Sequence, residues 1–481
     1  MNQLKTLCLL LLCCLTFSGL NAQNKTPNVI IILMDDMGYG DMSCFGALNY
    51  LTPNMDKMAK EGMRFTNYLA PQAVCSASRA GLLTGCYPNR IGMAGALFPE
   101  SKKGLNPSET TIAELFKQKG YATAIYGKWH LGDRKEFLPL QQGFDEYFGL
   151  PYSNDMWPYD YLGQKAEPNS FQAKCPPLPL INGNDKVGEI KTMEDQANLT
   201  RLYTDHAIQF IKRNKNKPFF LYMPQSMPHT PIAVSKNFKG KSGAGFYGDV
   251  MMELDWSIGQ VLQTITEEGL DQNTLVIVTS DNGPWRNFGN WAGSSGGLRE
   301  AKMTVFEGGQ RVPCLMMWKG QIQEGMVCNK LSSSIDLLPT LASICGLKTP
   351  KNKIDGVNIA DLLKGKTDVN PRKYFYYYYN ANSLKAVRRD DWKLVLPHPS
   401  KTYEKDVPGH DGHPGKTTNV TFPLALYDLQ QDPGERYDVQ TLYPEIMEEL
   451  QKIAEKARED LGDDLTDRKG KNRRSAGIIK N

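Results

Sequence analysis

The sequence predicts an α/β fold: a large, mostly parallel sheet sandwiched by helices, followed by a smaller C-terminal α+β subdomain made of an antiparallel sheet and a helix. Three observations predict it. Short, continuously apolar runs recur between longer helical stretches, the pattern of strands buried on both faces rather than one. With 481 residues, 41% hydrophobic and 22% charged, the chain is long enough for one large domain with an appendage, and its composition argues against disorder or a coiled coil. Near residues 365–371 the composition shifts, marking the start of the smaller unit.

The N-terminus, MNQLKTLCLLLLCCLTFSGLNAQ, has one Lys, an apolar run from Leu7 to Phe17, and small and polar residues ending in Leu20-Asn21-Ala22. It reads as a signal peptide over residues 1–22, cleaved near Ala22, because the apolar run is too short to span a bilayer. Since no second long apolar segment follows, the mature chain is expected to be exported to a periplasmic, extracellular or lysosome-like compartment, without stable membrane insertion. The first unit is expected over residues 23–370. Its strands are expected at Val29–Met34, Ala122–Tyr126, Phe219–Met223, Leu275–Thr279 and Cys314–Trp318. Helix start and stop signals place helices at Pro53–Glu61, Ile112–Lys119, Gln196–Arg213, Asp249–Glu268 and Ile335–Cys345.

The second unit, residues 371–481, is expected to hold antiparallel strands at Tyr374–Tyr379 and Trp392–Leu396, a long loop at Pro397–Phe422, and a helix at Glu445–Arg458. That helix carries Ile446, Leu450, Ile453 and Ala457 on one face. A net charge of only +4 argues against a nucleic-acid partner. The one basic cluster, Arg468, Lys469, Lys471, Arg473 and Arg474, lies in the tail and is expected to be solvated and frayed.

The chemistry-bearing residues fall at strand ends. The first strand runs into Asp35 and Asp36 within DDMGYGD, and a later one into Asp281 and Asn282 within TSDNGP. Alone, an Asp-Gly segment is equally well a solvated turn. Four oxygen side chains from two strand ends instead make a hard-cation site at the edge where open α/β sheets bind ligands, suited to Ca²⁺ or Mg²⁺. Lys128 and His130, in YGKWHLG, follow another strand and in extended backbone point the same way. His229, in MPHTP, follows a fourth, and Lys302 lies in a Gly-bounded segment. Any one of these could be an ordinary surface or core residue; together they could surround an anion. Cys44, Cys75, Cys86, Cys175, Cys314, Cys328 and Cys345 remain after the leader, without a zinc-type CxxC pair. Cys314 and Cys345 read as buried thiols, and His206 as a structural residue within a helix.

One segment is more specific. Cys75 to Gly85 reads CSASRAGLLTG, and with DDMGYGD, GYATAIYGKWHLG, TSDNGP and AKMTVFEGGQRVP it resembles, in order and approximate spacing, the motifs of type I sulfatases, the arylsulfatase branch of the alkaline phosphatase superfamily. The resemblance implies that a maturation enzyme oxidises Cys75 to formylglycine (3-oxoalanine), whose hydrate supplies one hydroxyl to attack sulfur and another to expel sulfate. It also implies that Asp35, Asp36, Asp281, Asn282 and the modified Cys75 bind Ca²⁺, with Mg²⁺ less favoured. Arg79 would hold the modified residue near the metal, His130 act as base, and Lys128, His229 and Lys302 bind sulfate and support the leaving oxygen, His229 as proton donor. With Cys75 converted, six cysteines could form up to three disulfides.

The implied activity is sulfate ester hydrolysis on a carbohydrate, exo-acting on sulfated galactose, N-acetylgalactosamine or glucosamine of a glycan. The resemblance also suggests that the long C-terminal loop returns over the site, making His398 a candidate substrate contact. Trp285, Trp291 and residues Tyr152 to Tyr161 could stack on a sugar or simply pack. Two alternatives stand beside this reading. One is a phosphate or phosphonate ester hydrolase on the same scaffold; the other is a non-catalytic glycan-binding protein in which Cys75 stays a thiol. The segment Ser78 to Thr84 is expected to begin a helix whose N-terminal dipole favours an anion.

Overall fold

In the computed structural model, which describes residues 26–366 and 368–479, the apolar runs form a ten-stranded mixed sheet. The signal-peptide segment, residues 1–22, lies outside the described residues. Five strands form the parallel centre: Glu146–Gly149, Ala122–Tyr126, Phe219–Pro224, Asn28–Met34 and Thr274–Ser280, in that order. Their side chains divide between two layers, as a period of two requires. Val29, Ile31 and Leu33 pack with Leu82, Ile112, Phe116 and Leu337, while Ile30, Ile32 and Met34 pack with Leu199, Tyr203, Leu254 and Ile258. Each buried aliphatic side chain contributes about 1.5–3 kcal/mol, against about 0–1 kcal/mol for an exposed ion pair. The core, not the charged surface, therefore fixes the sheet.

Helices cover both faces, and several have the caps their sequences announce. Thr111 and Glu114 form a capping box at the start of Ile112–Gln118, and Thr192 and Asp195 form another at Met193–Asn214. Gly85 ends Cys75–Thr84 at φ 67°, where a side chain would be strained.

The mostly parallel sheet carries antiparallel strands toward both edges, and three other expectations need correction. The Cys314–Met317 strand runs antiparallel to Thr274–Ser280, so the sheet is mixed toward this edge. An antiparallel hairpin, Leu178–Asn182 and Asp185–Ile190, closes the other edge. Residues 397–422 are not simply a loop, because His398–Thr402 and Thr418–Phe422 form an antiparallel ribbon. Pro399, which argues against a strand, is tolerated there because a two-stranded ribbon leaves an edge without ladder partners. The basic tail is docked rather than frayed: Arg474 pairs with Glu109 at 2.6 Å, Lys471 with Glu459 and Arg468 with Glu455 both at 2.5 Å, and Gly477–Ile478 adds a strand to Lys103–Gly104. Finally, the helix expected from Ser78 begins at Cys75 itself.

The C-terminal sheet has the order Tyr374–Tyr378, Leu384–Arg389, Trp392–Val395, Ala425–Asp428, all antiparallel. The Pro444–Leu461 helix covers it with Leu450, Ile453, Ala454, Ala457 and Leu461. An interior ion network joins this unit to the segment after Lys302. Glu307 receives hydrogen bonds from Arg388 at 3.0 Å, Lys393 at 3.0 Å and the Tyr377 hydroxyl at 2.8 Å, and Lys393 also meets Glu435 at 2.8 Å.

Candidate active site

Parallel pairing in register sets the site. Met34 lies opposite Ser280, so the next residues, Asp35-Asp36 and Asp281-Asn282, leave the sheet side by side. Asp36 turns away at φ 66°, His130 at φ 61° and Met303, beside Lys302, at φ 68°. Left-handed backbone at non-glycine residues costs about 1–3 kcal/mol each and persists where the surroundings enforce it. The extended path expected for Lys128 and His130 is therefore replaced by a turn at His130. Hydrogen bonds from Lys128 N to Pro224 O at 2.7 Å and from His130 N to Pro151 O at 3.1 Å hold that turn between neighbouring strand ends.

Three carboxylates and three cations interlock in the interior. Arg79 Nε and Nη2 donate to Asp281 Oδ2 at 3.0 and 2.8 Å, and Nη1 donates to the Lys128 carbonyl at 2.7 Å. Lys128 Nζ donates to Asp35 Oδ2 and, at 2.9 Å, to Ser153 Oγ. Lys302 Nζ reaches Asp36 Oδ1 and Oδ2 at 2.8 and 2.9 Å, and lies 4.7 Å from the Trp285 ring centroid. Burial pushes Asp281 up to about 7 and raises Asp36, whereas Asp35 is held well below the carboxylate range because Lys128 and Arg79 outweigh its own burial.

Cys75 is the first residue of its helix and is only 3% exposed. Burial raises its thiol above the ordinary value against the pull of Lys128 and Lys302, so as a cysteine it is a neutral, unactivated nucleophile. Arg79 lies one turn along the same helix.

The two site histidines have tautomers fixed by carbonyls, which only accept. His130 Nε2–H donates to Leu97 O at 2.9 Å, leaving Nδ1 buried without a partner. His229 Nδ1–H donates to Thr230 O at 2.6 Å, leaving Nε2 3.6 Å from Asp36 Oδ2. Burial, with Lys128 near His130 and Lys302 near His229, pushes both well below the usual imidazole value.

A hard cation fits these residues. Asp35 Oδ1 and Asn282 Oδ1 are buried oxygens without hydrogen-bond partners, and carboxylate oxygens of Asp35 and Asp36 lie within 4.8 Å of each other and of a His229 ring nitrogen, so the donor set is mainly oxygen. All seven cysteines of the described residues are free thiols, including the buried Cys314 and Cys345. His206 stacks on Phe148 at 4.1 Å, away from the site.

The structure brings together ten sequence-predicted residues: Asp35, Asp36, Cys75, Arg79, Lys128, His130, His229, Asp281, Asn282 and Lys302. His398 is not among them. It is 1% exposed, donates from Nδ1 to Leu396 O at 2.7 Å and packs on Phe422, with Nε2 buried and unpartnered. The ribbon segment does return to the site through Tyr403, whose hydroxyl donates to the Lys302 carbonyl at 2.8 Å. Of the aromatics, Trp285 adjoins His229 and Lys302, whereas Trp291 packs on Phe246. Ser153 and Tyr379, which packs against Val74, Cys75 and Ala77, were not foreseen. A lone Ser and the last Tyr of a tyrosine run offer no pattern to find.

Comparison with known proteins gives this arrangement a family. Residues 27–347 match the family model described as Sulfatase, and residues 370–476 the model of the C-terminal region of aryl-sulfatase. Human arylsulfatase A is 36% identical over 444 residues, covering 89% of this chain and 87% of its own. Mouse N-acetylgalactosamine-6-sulfatase is 37% identical over 464 residues, covering 90% and 86%. The crystal structure of a sulfatase from Pseudoalteromonas sp. superposes with a TM-score of 0.79 at 28% identity, covering 90% of each chain. Matches spanning both units and nearly the whole length of each relative place the chain, and not merely its fold, in the sulfatase family.

Proposed function

We propose that this sulfatase is an exported, Ca²⁺-dependent enzyme that hydrolyses a sulfate ester of a carbohydrate, exo-acting on a sulfated galactose, N-acetylgalactosamine or glucosamine unit. Residues 23–370 form its catalytic domain and 371–481 its C-terminal subdomain. The observation that carries the reading is the position of Cys75: the first residue of a buried helix, under the charges of Lys128 and Lys302 and one turn from Arg79. Export rests on the N-terminal segment; among the described residues no helix is long and apolar enough to cross a membrane.

Asp35, Asp36, Asp281, Asn282 and the modified Cys75 would hold the cation, which supplies positive charge to sulfuryl oxygens. A maturation enzyme would convert Cys75 to formylglycine, whose hydrated aldehyde supplies one hydroxyl to attack sulfur and a second to release sulfate. Arg79 fixes that residue through Asp281. Lys128 and Lys302 offset charge on the sulfuryl oxygens in a water-poor site, where fixed cations act most strongly. His130 Nδ1, bare and buried, takes the proton of the second hydroxyl. His229 is neutral in the free protein, and an anionic ester beside Lys302 favours its protonation. The proton then sits at Nε2, from which it passes to the bridging oxygen of the departing sugar. The dipole of the Cys75–Thr84 helix favours negative charge at the same point.

A side-by-side assay tests this reading. Aryl sulfate and a set of monosulfated galactosides and N-acetylhexosaminides are expected to release sulfate, with phosphate monoesters and phosphodiesters turned over far more slowly. Faster phosphodiester or phosphonate cleavage would replace the sulfatase mechanism with the related esterase. Sugar binding without release of sulfate would indicate a glycan-binding protein.

A further inference from the structure

One buried carboxylate near the site has no part in the scheme above. Asp155 is 7% exposed, and its Oδ1 is buried without a hydrogen-bond partner. The two residues just before it are fixed by hydrogen bonds. Ser153 accepts from Lys128 Nζ at 2.9 Å and lies against the Asp155 carboxylate. Asn154 donates to the Pro231 carbonyl at 3.2 Å and receives Gln196 Nε2 on its own carbonyl at 3.0 Å. The charge of Asp155 is felt by Tyr161, whose ring packs on Phe288 at 4.6 Å; Phe288 in turn packs at 4.9 Å on Trp285, the ring beneath Lys302.

Asp155 thus stands at the edge of the anion-binding cations without an ion-pair partner of its own among the described residues. A carboxylate is expensive to leave buried with an empty acceptor position unless something fills it. The cations Lys128 and Lys302 already have Asp35 and Asp36, so electroneutrality does not call for a further acid. What an unfilled carboxylate oxygen beside a sulfate site does fit is a neutral donor carried by the substrate.

We infer that Asp155 is a specificity residue: its carboxylate accepts a hydrogen bond from a hydroxyl or amide N–H on the sugar close to the sulfate ester, with the aromatic wall of Tyr161, Phe288 and Trp285 alongside. This rests on the carbohydrate reading of the site and adds the substrate feature it selects. A donor at that position is recognised, and a second sulfate or a carboxylate there is repelled. The substrate class is therefore a sugar whose position next to the sulfate carries a free hydroxyl or an acylated amine.

The test compares wild type with Asp155→Asn on 4-nitrophenyl sulfate, on monosulfated galactosides and N-acetylhexosaminides, and on their monodeoxy forms. Asp155→Asn is expected to lower kcat/KM on the sugar by about tenfold to a hundredfold, chiefly through KM, as loss of a charged hydrogen-bond partner does. The ratio of sugar to aryl-sulfate kcat/KM falls by at least about tenfold. Deleting one particular substrate hydroxyl costs wild type a similar factor, and the variant then loses nothing more on that deoxy sugar. The wild-type half of this arm needs no altered protein, and a folding defect in the variant would not cancel the cost of one particular hydroxyl while leaving the cost of the others. Parallel losses on sugar and aryl sulfate would overturn the inference and leave Asp155 as a support for Ser153 and Lys128; so would additive losses for every hydroxyl. Wild type that cleaves aryl sulfate but no sugar would overturn the carbohydrate reading first, and the inference with it.

Discussion

Arg79 places two donors, Nε at 3.0 Å and Nη2 at 2.8 Å, on one oxygen of Asp281, while the other oxygen of Asp281 accepts the Asp36 backbone N–H at 3.1 Å. One carboxylate therefore ties the helix of Cys75 to the end of the first strand. Asp281→Ala leaves the buried Arg79 with its hydrogen bond to the Lys128 carbonyl and, as its one remaining carboxylate, Asp35 Oδ2 at 3.4 Å. Removing one partner of a buried pair costs about 3–5 kcal/mol. The variant is expected to unfold at a lower denaturant midpoint and to show no turnover; activity near wild type would contradict the assignment.

The bare oxygens of Asp35 and Asn282 make cation binding measurable apart from turnover. Chelation and gel filtration are expected to lower the melting temperature and abolish activity, and Ca²⁺ to restore both better than Mg²⁺. At a hundred times Kd, ligand binding adds about 2.7 kcal/mol. A melting curve indifferent to chelator and Ca²⁺ would count against the site.

His398 gives a pH-dependent signature. Burial pushes it down to about 4, below the ordinary imidazole value near 6.5. Because the folded value is depressed, its contribution to stability is fully present above pH 6.5 and is lost as pH falls toward 4. The loss amounts to about 3 kcal/mol. His398→Gln is expected to flatten the stability curve between pH 4 and 6.5, read from urea midpoints. Because the ring is buried against Phe422 outside the site, His398→Ala is expected to leave KM on glycan substrate unchanged, and a raised KM would return His398 to substrate binding.

The interior network at Lys393 predicts how the two units are held together. Burial and the Glu307 charge push Glu435 up to about 7 even with Lys393 opposing them. Lys393→Met removes the one ion-pair partner that Glu435 has among the described residues. A loss of about 3–5 kcal/mol is expected at pH 8. A carboxylate with a raised folded pKa stabilises below its unfolded value and ceases to as pH rises through the folded one, so the defect shrinks toward pH 5. Equal losses at both pH values would contradict this account.

The parts legible in the sequence were those with a local rule behind them. Buried strands announce themselves as apolar runs, and oxygen-bearing side chains just past two such runs announced Asp35, Asp36, Asp281 and Asn282. The Leu384–Arg389 strand carries Lys385, Arg388 and Arg389, which break any apolar pattern. Arg388 is nonetheless buried, because Glu307, 81 residues earlier, receives its guanidinium. Ser153 and Asp155 gain meaning only when Lys128, 25 residues before Ser153, is folded beside them. Long-range pairing, not local propensity, decides such positions. The left-handed turn at His130 was equally hidden, since nothing in GKWHLG signals it.

The central claim is that Cys75 is the precursor of the working nucleophile, and the mass of one peptide tests it most directly. Trypsin releases residues 65–79, Phe65 to Arg79, in which conversion of cysteine to formylglycine lowers the mass by about 18 Da. In active protein from its native host this peptide is expected in the converted form, its abundance tracking specific activity. Fully active protein whose peptide carries an unmodified cysteine would contradict the account.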